Sequence, residues 1–334
     1  MGLLVGQATP LSSAAILHPS EATPISTAPP PLQSAQLTEP GEVFPTRWID
    51  RGDPLLVSTG VDSYAFYWTE PLPGLNVPVQ TKDQGQPWGP IVDALPDLPS
   101  WASTGSTWSP EVHHFDDGWI LYYSAELAGV SPEMHCIGDA ISQSPSGPFL
   151  TAARPFICQR DIGGSIDPRV FTAPNGNLYM VWKSDNNSRP GDGQPRIWSE
   201  RLSSTGLVLL GRPSDIYRPG LAWQHGLVEA PDLVFASGRY WLFYSGGGGY
   251  SSTNYAIGDA ACAGPQGPCT NGSEQPLLSS NQQGQGPGEE SVFVSGPAAW
   301  LVYNPARTVT GVIPRSIAVA RLGFSSSGPY LARS

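Results

Sequence analysis

The sequence predicts an all-β protein that folds as a five-bladed β-propeller. Two observations lead to this fold class: glycine and proline are abundant while charged residues are few, and one hairpin pattern occurs five times. The chain has 38 glycines and 36 prolines in 334 residues, and only 13% of its residues are charged. This composition is typical of many short strands joined by tight turns. The recurring pattern favours one repeated architecture over two unrelated domains.

The repeat unit is a hairpin that begins at a polar residue, usually beside a proline. Its clearest copy, at residues 228–246, has a carboxylate and a proline, a short apolar strand, a small turn and an aromatic strand ending in Ser-Gly. The other copies begin near Gly52, Ser109, Ile166 and Glu290. Taking Pro54, Pro110, Pro168, Pro231 and Ser291 as equivalent positions gives intervals of about 56 to 63 residues, slightly more than in propellers with short loops. Five copies therefore predict five blades.

Each blade needs two further strands after its hairpin. Residues 133–140, which include Cys-Ile-Gly-Asp-Ala, supply one after the second copy, and the similar residues 255–260 follow the fourth. A β-sandwich with aromatic strands is the alternative architecture. A sandwich, however, gives no reason for evenly spaced copies.

The first 40 residues differ from the rest of the chain. They are rich in proline, serine, threonine and alanine and carry no strand pattern, which predicts a disordered leader or linker. Residues 41–334 show strand and turn signals without a second linker, and we expect them to form one propeller domain. No apolar run approaches the length of about 18 residues that a membrane span requires.

The cysteines and the glycosylation sequons predict a secreted, disulfide-bonded glycoprotein. The four cysteines are Cys136, Cys158, Cys262 and Cys269. Proximity in the sequence favours the pairs 136 with 158 and 262 with 269, although four cysteines permit three pairings. The sequons begin at Asn186 and Asn271. The first residues are atypical of a signal peptide because they lack a basic segment.

The net charge of -11 and the absence of any lysine or arginine cluster exclude most nucleic-acid-binding functions. Affinity for a phosphate backbone depends on clustered basic side chains. We therefore expect no nucleic-acid partner. We also expect no membrane partner and a monomeric protein.

Three acids stand at the starts of equivalent strands: Asp53, Asp167 and Glu229. In a propeller the innermost strands line a central channel, so these acids should meet at one mouth. Carboxylates are rarely buried without a purpose. Glycoside hydrolysis needs one carboxyl group to protonate the leaving oxygen and another to activate water or attack the sugar. A third carboxylate would raise the pKa of the proton donor by like-charge repulsion.

Aromatic and basic residues near these acids are candidates for binding a sugar. Trp108 and Trp223 lie close to the same strand starts, and tryptophan faces stack on the C–H surfaces of sugar rings. His225 stands four residues before Glu229 and is a further candidate. These residues predict a polysaccharide or oligosaccharide substrate.

Several motifs together resemble glycoside hydrolase family 43. They are Trp-Ser-Pro-Glu-Val at 108–112, Ser-Ile-Asp-Pro at 165–168, Val-Glu-Ala-Pro at 228–231, and Cys-Ile-Gly-Asp-Ala at 136–140 followed by Ser-Pro-Ser-Gly-Pro-Phe at 144–149. The resemblance covers about residues 42 to 324. It implies a five-bladed propeller that removes arabinofuranose or xylose units from plant cell-wall polysaccharides with inversion.

The resemblance also implies roles for the three acids. Asp53 corresponds to the general base, Asp167 to the residue that sets the pKa and orientation of the acid, and Glu229 to the general acid. The first-blade motif departs from the family pattern, because Phe44-Pro45 is followed by a longer lead before Asp53-Pro54. Asp50 is the alternative base. An inverting pair of carboxyl groups should be separated by about 6.5 to 9.5 Å.

The fifth blade departs from the family at Glu289. Gly-Pro-Gly-Glu at 286–289 resembles a family motif that ends in histidine, and many members use that histidine with water to hold a channel ion, often calcium. Glu289 offers either a direct oxygen ligand or an ion pair with an arginine such as Arg315, itself a candidate substrate-binding residue. The predicted reaction requires no metal or other cofactor, and the replacement of histidine argues against the ion.

For the substrate, the Cys-Ile-Gly and Val-Glu-Ala-Pro elements are most similar to arabinan- and arabinofuranoside-cleaving members. We therefore expect α-L-arabinofuranosidase or arabinan-degrading activity, with β-xylosidase activity as the alternative within the family. A carbohydrate-binding propeller without activity is the rival from another class. Such a protein would have no need of three acids at matching strand starts.

Overall fold

The computed structural model confirms the five-bladed β-propeller. It describes residues 2, 51–69, 74–188, 193–281, 284–306 and 315–332. Within these residues the strands form five four-stranded antiparallel sheets. The predicted leader, apart from Gly2, and the alternative base Asp50 lie outside the described residues. The domain boundary near residue 40 therefore stays a prediction.

The strands follow one another in chain order, four to a blade. Blade 1 contains β1 (Gly52–Gly60), β2 (Ser63–Thr69), β3 (Pro78–Lys82) and β4 (Val92–Asp93). Blade 2 contains β5 (Ala102–Phe115), β6 (Gly118–Leu127), β7 (His135–Ser142) and β8 (Leu150–Thr151). Blade 3 contains β9 (Ser165–Thr172), β10 (Leu178–Ser184), β11 (Arg196–Leu202) and β12 (Ser214–Tyr217). Blade 4 contains β13 (Glu229–Ala236), β14 (Arg239–Gly246), β15 (Ala256–Cys262) and β16 (Cys269–Asn271). Blade 5 contains β17 (Gln285–Ser295), β18 (Ala298–Ala306), β19 (Ala318–Ser325) and β20 (Gly328–Leu331).

Short 3-10 helices connect some of these strands. In the described part of the chain they span Arg160–Ile162, Asn186–Ser188 and Ala222–Gln224. None of the helices that the structure describes is long and apolar enough to cross a bilayer.

The first strand of each blade lies at the centre of the ring. β1, β5, β9, β13 and β17 each contact the first strands of both neighbouring blades, and β17 closes the ring against β1. At this closure the Ser291 hydroxyl donates a hydrogen bond of 2.6 Å to the carbonyl of Pro54. The five predicted hairpins are the two inner strands of the five blades.

Each interface between neighbouring blades has its own hydrophobic cluster, and this explains the aromatic second strands. A strand sandwiched between two blades buries both of its faces, so it is apolar throughout. In β2, Phe66 and Trp68 pack toward blade 5 while Tyr67 packs toward blade 2, and all three are fully buried. The core of the protein therefore lies between the blades.

Both predicted disulfides form in the structure. Cys136 pairs with Cys158, and Cys262 with Cys269.

The asparagine side chains of the two glycosylation sequons are less exposed than the sequence indicates. Asn186 is only 2% exposed, so a glycan on it would not fit this fold. The side-chain oxygen of Asn271 accepts hydrogen bonds from two tyrosine hydroxyls, and glycosylation there stays a prediction.

Candidate active site

One backbone feature is repeated at the start of every innermost strand. Five residues, one per blade, adopt the left-handed conformation with φ between 44° and 56°: Asp53, Ser109, Asp167, Ala230 and Glu289. Each coincides with a break in strand register of the kind a β-bulge produces. A non-glycine residue in this conformation costs about 1 to 2 kcal/mol, and a bulge redirects the side chain it carries. The structure contains five such residues around one mouth of the channel.

This feature corrects the alignment of the fifth copy. Because Glu289 is the left-handed residue, Glu290 and not Ser291 is equivalent to the prolines that follow the other four. Glu289 is thus the structural counterpart of Asp53 and Asp167.

Asp167 is held by both neighbouring blades. Its Oδ1 accepts a hydrogen bond of 2.7 Å from the Ser109 hydroxyl, and its Oδ2 accepts one of 2.9 Å from the backbone N–H of Ala230. Burial raises the pKa of Asp167 to about 6; the nearby ammonium of Lys183 opposes the rise, and the charges of Asp53 and Glu229 add to it. Asp167 is therefore fixed in orientation and sensitive to the charge of both other acids.

Asp53 faces the same mouth from blade 1. Its Oδ2 accepts a hydrogen bond of 2.6 Å from the Thr69 hydroxyl, whose oxygen accepts the backbone N–H of Ser109 at 2.8 Å. Burial raises the pKa of Asp53, while the Thr69 hydrogen bond and the charge of Arg169 act in the opposite direction.

Glu229 begins β13, and its side chain is 16% exposed. Its Oε2 lies 3.1 Å from Nζ of Lys183, and the same ammonium lies 3.1 Å from Oδ1 of Asp185. Burial alone would lower the pKa of Lys183, but the charges of Glu229, Asp185 and Asp167 outweigh it and raise that pKa above its usual range. Lys183 is therefore a fully charged neighbour of Glu229.

The sequence analysis missed Lys183, although a signal was present. In the other four blades the equivalent position of the second strand, which pairs with the residue before the left-handed one, is uncharged: Thr69, Ser124, Ser245 and Asn304. A lysine at this position is only 1% exposed. One charged residue in a set of five positions that otherwise hold small, uncharged polar residues could have identified it.

Glu289 and Arg315 face each other in blade 5, with Oε2 of Glu289 4.0 Å from Nη1 of Arg315. The Glu289 carboxylate also accepts the backbone N–H of Asp53. Burial and the charge of Asp53 raise the pKa of Glu289, while Arg315 opposes the rise. Arg315 itself donates a hydrogen bond of 2.6 Å to the carbonyl of Asn304 and another to that of Tyr250.

These residues do not fit direct ligation of calcium, which takes six to eight oxygen ligands. Among the residues that the structure describes, no group of three or more His, Cys, Asp or Glu side chains is arranged to hold a metal ion. Glu289 faces a guanidinium, which fits the ion-pair alternative better.

The predicted sugar-binding residues lie at different places. Trp108, directly before Ser109, stacks on His135 with ring centroids 3.7 Å apart. Trp223 stacks on Tyr244 at 5.9 Å and covers Gly258, so its ring is part of the wall of blade 4.

His225 follows the 3-10 helix Ala222–Gln224 and is exposed.

A second layer of charge lies deeper in the channel. Glu111 forms an ion pair of 3.5 Å with Arg169, and its Oε1 accepts the backbone N–H of Val170 at 3.2 Å. Asp232 likewise accepts the backbone N–H of Val292 at 2.7 Å. These carboxylates connect the innermost strands of neighbouring blades, so the acid of the second copy is structural.

The five-bladed propeller, with its carboxylates gathered at one end of the channel, has the architecture of the propeller glycoside hydrolases. Residues 46–328 match the family model described as glycosyl hydrolases family 43. The chain belongs to this family.

Individual relatives are more distant. The chain is 25% identical over 211 residues to an extracellular exo-α-(1→5)-L-arabinofuranosidase of Streptomyces avermitilis, a match covering 59% of this chain and 42% of the relative. It is 27% identical over 260 residues to an extracellular endo-α-(1→5)-L-arabinanase of Thermotoga petrophila, a match covering 66% of this chain and 51% of the relative. The chain thus spans about half the length of these curated relatives.

Among solved structures, a thermostable family-43 glycoside hydrolase is 25% identical and superimposes with a TM-score of 0.74, covering 86% of this chain and 94% of that one.

Proposed function

We propose that this protein is an inverting glycoside hydrolase that cleaves α-L-arabinofuranosidic bonds in plant cell-wall polysaccharide. The observation that carries the proposal is the arrangement around Asp167, which accepts hydrogen bonds from the blades on either side and is electrostatically coupled to both Asp53 and Glu229. The names of the curated relatives, an arabinofuranosidase and an arabinanase, support the choice of sugar.

In the proposed reaction Asp53 takes a proton from water, and the resulting hydroxide attacks the anomeric carbon from the face opposite the leaving group. Glu229 donates its proton to the glycosidic oxygen as the C–O bond breaks, which leaves a sugar of inverted configuration. Asp53 must therefore be ionised and Glu229 protonated. The negative charge of Asp167 helps Glu229 to keep its proton.

We also propose that the protein is secreted and acts as a monomer without a cofactor. The two disulfides favour an oxidising compartment, and the curated relatives are named as extracellular enzymes. The Arg315 guanidinium beside Glu289 supplies a positive charge at the fifth-blade position from within the chain.

The decisive experiment is to incubate the protein with linear arabinan, arabinoxylan, and the para-nitrophenyl glycosides of α-L-arabinofuranose and β-D-xylose. We expect arabinose or arabino-oligosaccharides, and proton NMR of the first product should show the inverted anomer. Release from the xyloside alone would favour the β-xylosidase alternative. Binding to the polysaccharides without release from any substrate would leave a carbohydrate-binding propeller.

Variants of the two reacting carboxyls complete the test. Asp53→Asn and Glu229→Gln should each lower kcat by a factor of about 100 or more, because each removes one of the two proton transfers. Unchanged turnover in Glu229→Gln would refute its assignment as the acid.

A further inference from the structure

We infer that Lys183, held by Asp185, is a positioning residue for the proton donor Glu229. It binds Oε2 of the Glu229 carboxyl and so leaves Oε1 to carry the proton that passes to the leaving group. This inference rests on the proposed function and concerns a pair of residues for which the three-acid mechanism has no use.

The lysine is rigidly placed. It lies in β10, where its backbone is paired with Ile166 of β9 and Ile197 of β11. Its side chain is 2% exposed, and both ion pairs measure 3.1 Å. A buried ammonium with two carboxylate partners has little freedom to turn. Lys183 can therefore hold the Glu229 carboxyl across the interface between blades 3 and 4.

Stability does not explain why a lysine occupies this position. Burying an ammonium costs several kcal/mol before its partners compensate, and a well-packed apolar residue is often at least as stable as a buried ion pair. Ser124 and Ser245, at the equivalent positions of the neighbouring blades, are uncharged and fully buried. The lysine occurs in the blade that faces Glu229, which points to a role there.

The positive charge of Lys183 acts against proton donation by Glu229, and Asp185 offsets part of that charge. An ammonium in contact with Glu229 favours the ionised carboxylate, which cannot donate a proton. Asp185 lies equally close to Nζ and offsets part of that charge. The pair thus supplies a fixed hydrogen-bond donor with a reduced net charge. Other ionisable groups also act on these residues: Asp167 and His135 lie near Lys183, while Asp53, Tyr255 and Glu289 lie near Glu229.

Two variants distinguish the positioning of Glu229 by Lys183 from the electrostatic effect of the Lys183 charge. Lys183→Met combined with Asp185→Asn removes the donor without leaving a buried charge unpaired. Asp185→Asn alone leaves the full charge of Lys183 acting on Glu229 and changes one atom. Lys82→Met, in β3 at the end of blade 1 away from the mouth, is the matched control. Thermal unfolding of each variant checks that it is folded.

The readout is the dependence of kcat/KM on the leaving group, measured with aryl α-L-arabinofuranosides from 2,4-dinitrophenyl to phenyl. An activated leaving group departs without a proton, whereas phenol needs one. The double variant should lose about 100-fold on the phenyl glycoside and less than about threefold on the dinitrophenyl glycoside. Lys82→Met should match the wild type on both.

The pH profile gives an independent check. In Asp185→Asn the alkaline limb of kcat/KM should move about one pH unit lower, because the uncompensated ammonium helps Glu229 to lose its proton. In the double variant the alkaline limb should lie at higher pH than in Asp185→Asn, because the Lys183 ammonium is absent. Equal losses on all leaving groups with an unmoved limb would show a merely structural role and overturn the inference alone. A wild-type protein that cleaves none of the glycosides would overturn the proposed function and the inference with it.

Discussion

Asp167→Asn should make the protein more stable at neutral pH while nearly abolishing its activity. Asparagine has almost the shape of aspartate and retains an oxygen that can accept the N–H of Ala230, while its amide can donate to the Ser109 hydroxyl. The two hydrogen bonds that hold the residue therefore have replacements. What the substitution removes is a buried negative charge close to two other carboxylates.

The magnitude follows from the pKa of Asp167. Burial raises it from its ordinary 3.8 to about 6, so the folded protein binds this proton more tightly than the unfolded chain does. Stability therefore falls as pH rises from 3.8 to about 6 and stays lower above that range. A rise to about 6 corresponds to a cost of at most about 3 kcal/mol at pH 7. In the asparagine variant this cost is absent.

The measurement is urea unfolding of the wild type and the variant at pH 4, 5, 6 and 7. The free energy of unfolding should differ little at pH 4, and the advantage of the variant should grow to about 2 to 3 kcal/mol at pH 7. At pH 7, where Asp167 is ionised in the wild type, kcat on an arabinofuranoside should be lower by a factor of about 100, because Glu229 loses the charge that helps it keep its proton. Asp116→Asn, in an exposed turn, is the control. A stability difference that does not change with pH would refute the reasoning.

Three further outcomes are expected. Ser109→Ala removes a hydroxyl donor from both Asp167 and Asp53, so the acidic limb of kcat should move to higher pH in a pH-rate profile; an unmoved limb would mean that Ser109 does not affect the charge of either acid. Gly258→Ala should lower Tm by several degrees, because the new Cβ would lie 2.7 Å from Tyr244 and 2.8 Å from Trp223; an unchanged melting curve would show that this wall can yield. Treatment with EDTA should leave kcat unchanged, and recovery of lost activity by added calcium would contradict the ion-pair reading of Glu289 and Arg315.

The fold could be predicted from the sequence because its information is local and repeated. Each hairpin shows its own strands and turn within about 20 residues, and five copies at similar spacing predict the ring. Both disulfides were predictable for the same reason, since each joins cysteines that are near in sequence. Asp53 and Asp167 occupy equivalent positions of the repeat, and Glu229 stands one residue before the equivalent Ala230, so closure of the ring places the three acids at one mouth.

Other features of the site were not predictable because they depend on contacts between blades. The fifth copy has Glu290 instead of a proline after its left-handed residue, so a pattern that counts prolines displaced this copy by one position. Lys183 and Glu229 are 46 residues apart and meet across two blades. The ring of Trp223 lies flat on Tyr244, a partner that sequence proximity to Glu229 does not reveal, and its contact with a sugar stays a prediction.

The candidate active site is a variant of the hydrogen-bonded contact, or joint, that connects each blade to the next. At three junctions the N–H of the left-handed residue donates to a hydroxyl at the end of the preceding blade's second strand. The acceptors are Thr69 for Ser109, Ser124 for Asp167 and Ser245 for Glu289. At the junction of blades 3 and 4 the equivalent residue of the second strand is Lys183, which has no hydroxyl, and the N–H of Ala230 donates instead to Asp167.

Asp167 therefore does the structural work of the missing hydroxyl as well as tuning the acid. This dual role predicts a difference between two substitutions. Asp167→Ala leaves the buried N–H of Ala230 without its acceptor, at a cost of about 1 to 3 kcal/mol, whereas Asp167→Asn keeps one. Both variants should be nearly inactive, but at pH 7 the alanine variant should unfold at a lower urea concentration than the asparagine variant. Equal midpoints would mean that the joint between blades 3 and 4 does not depend on this carboxylate.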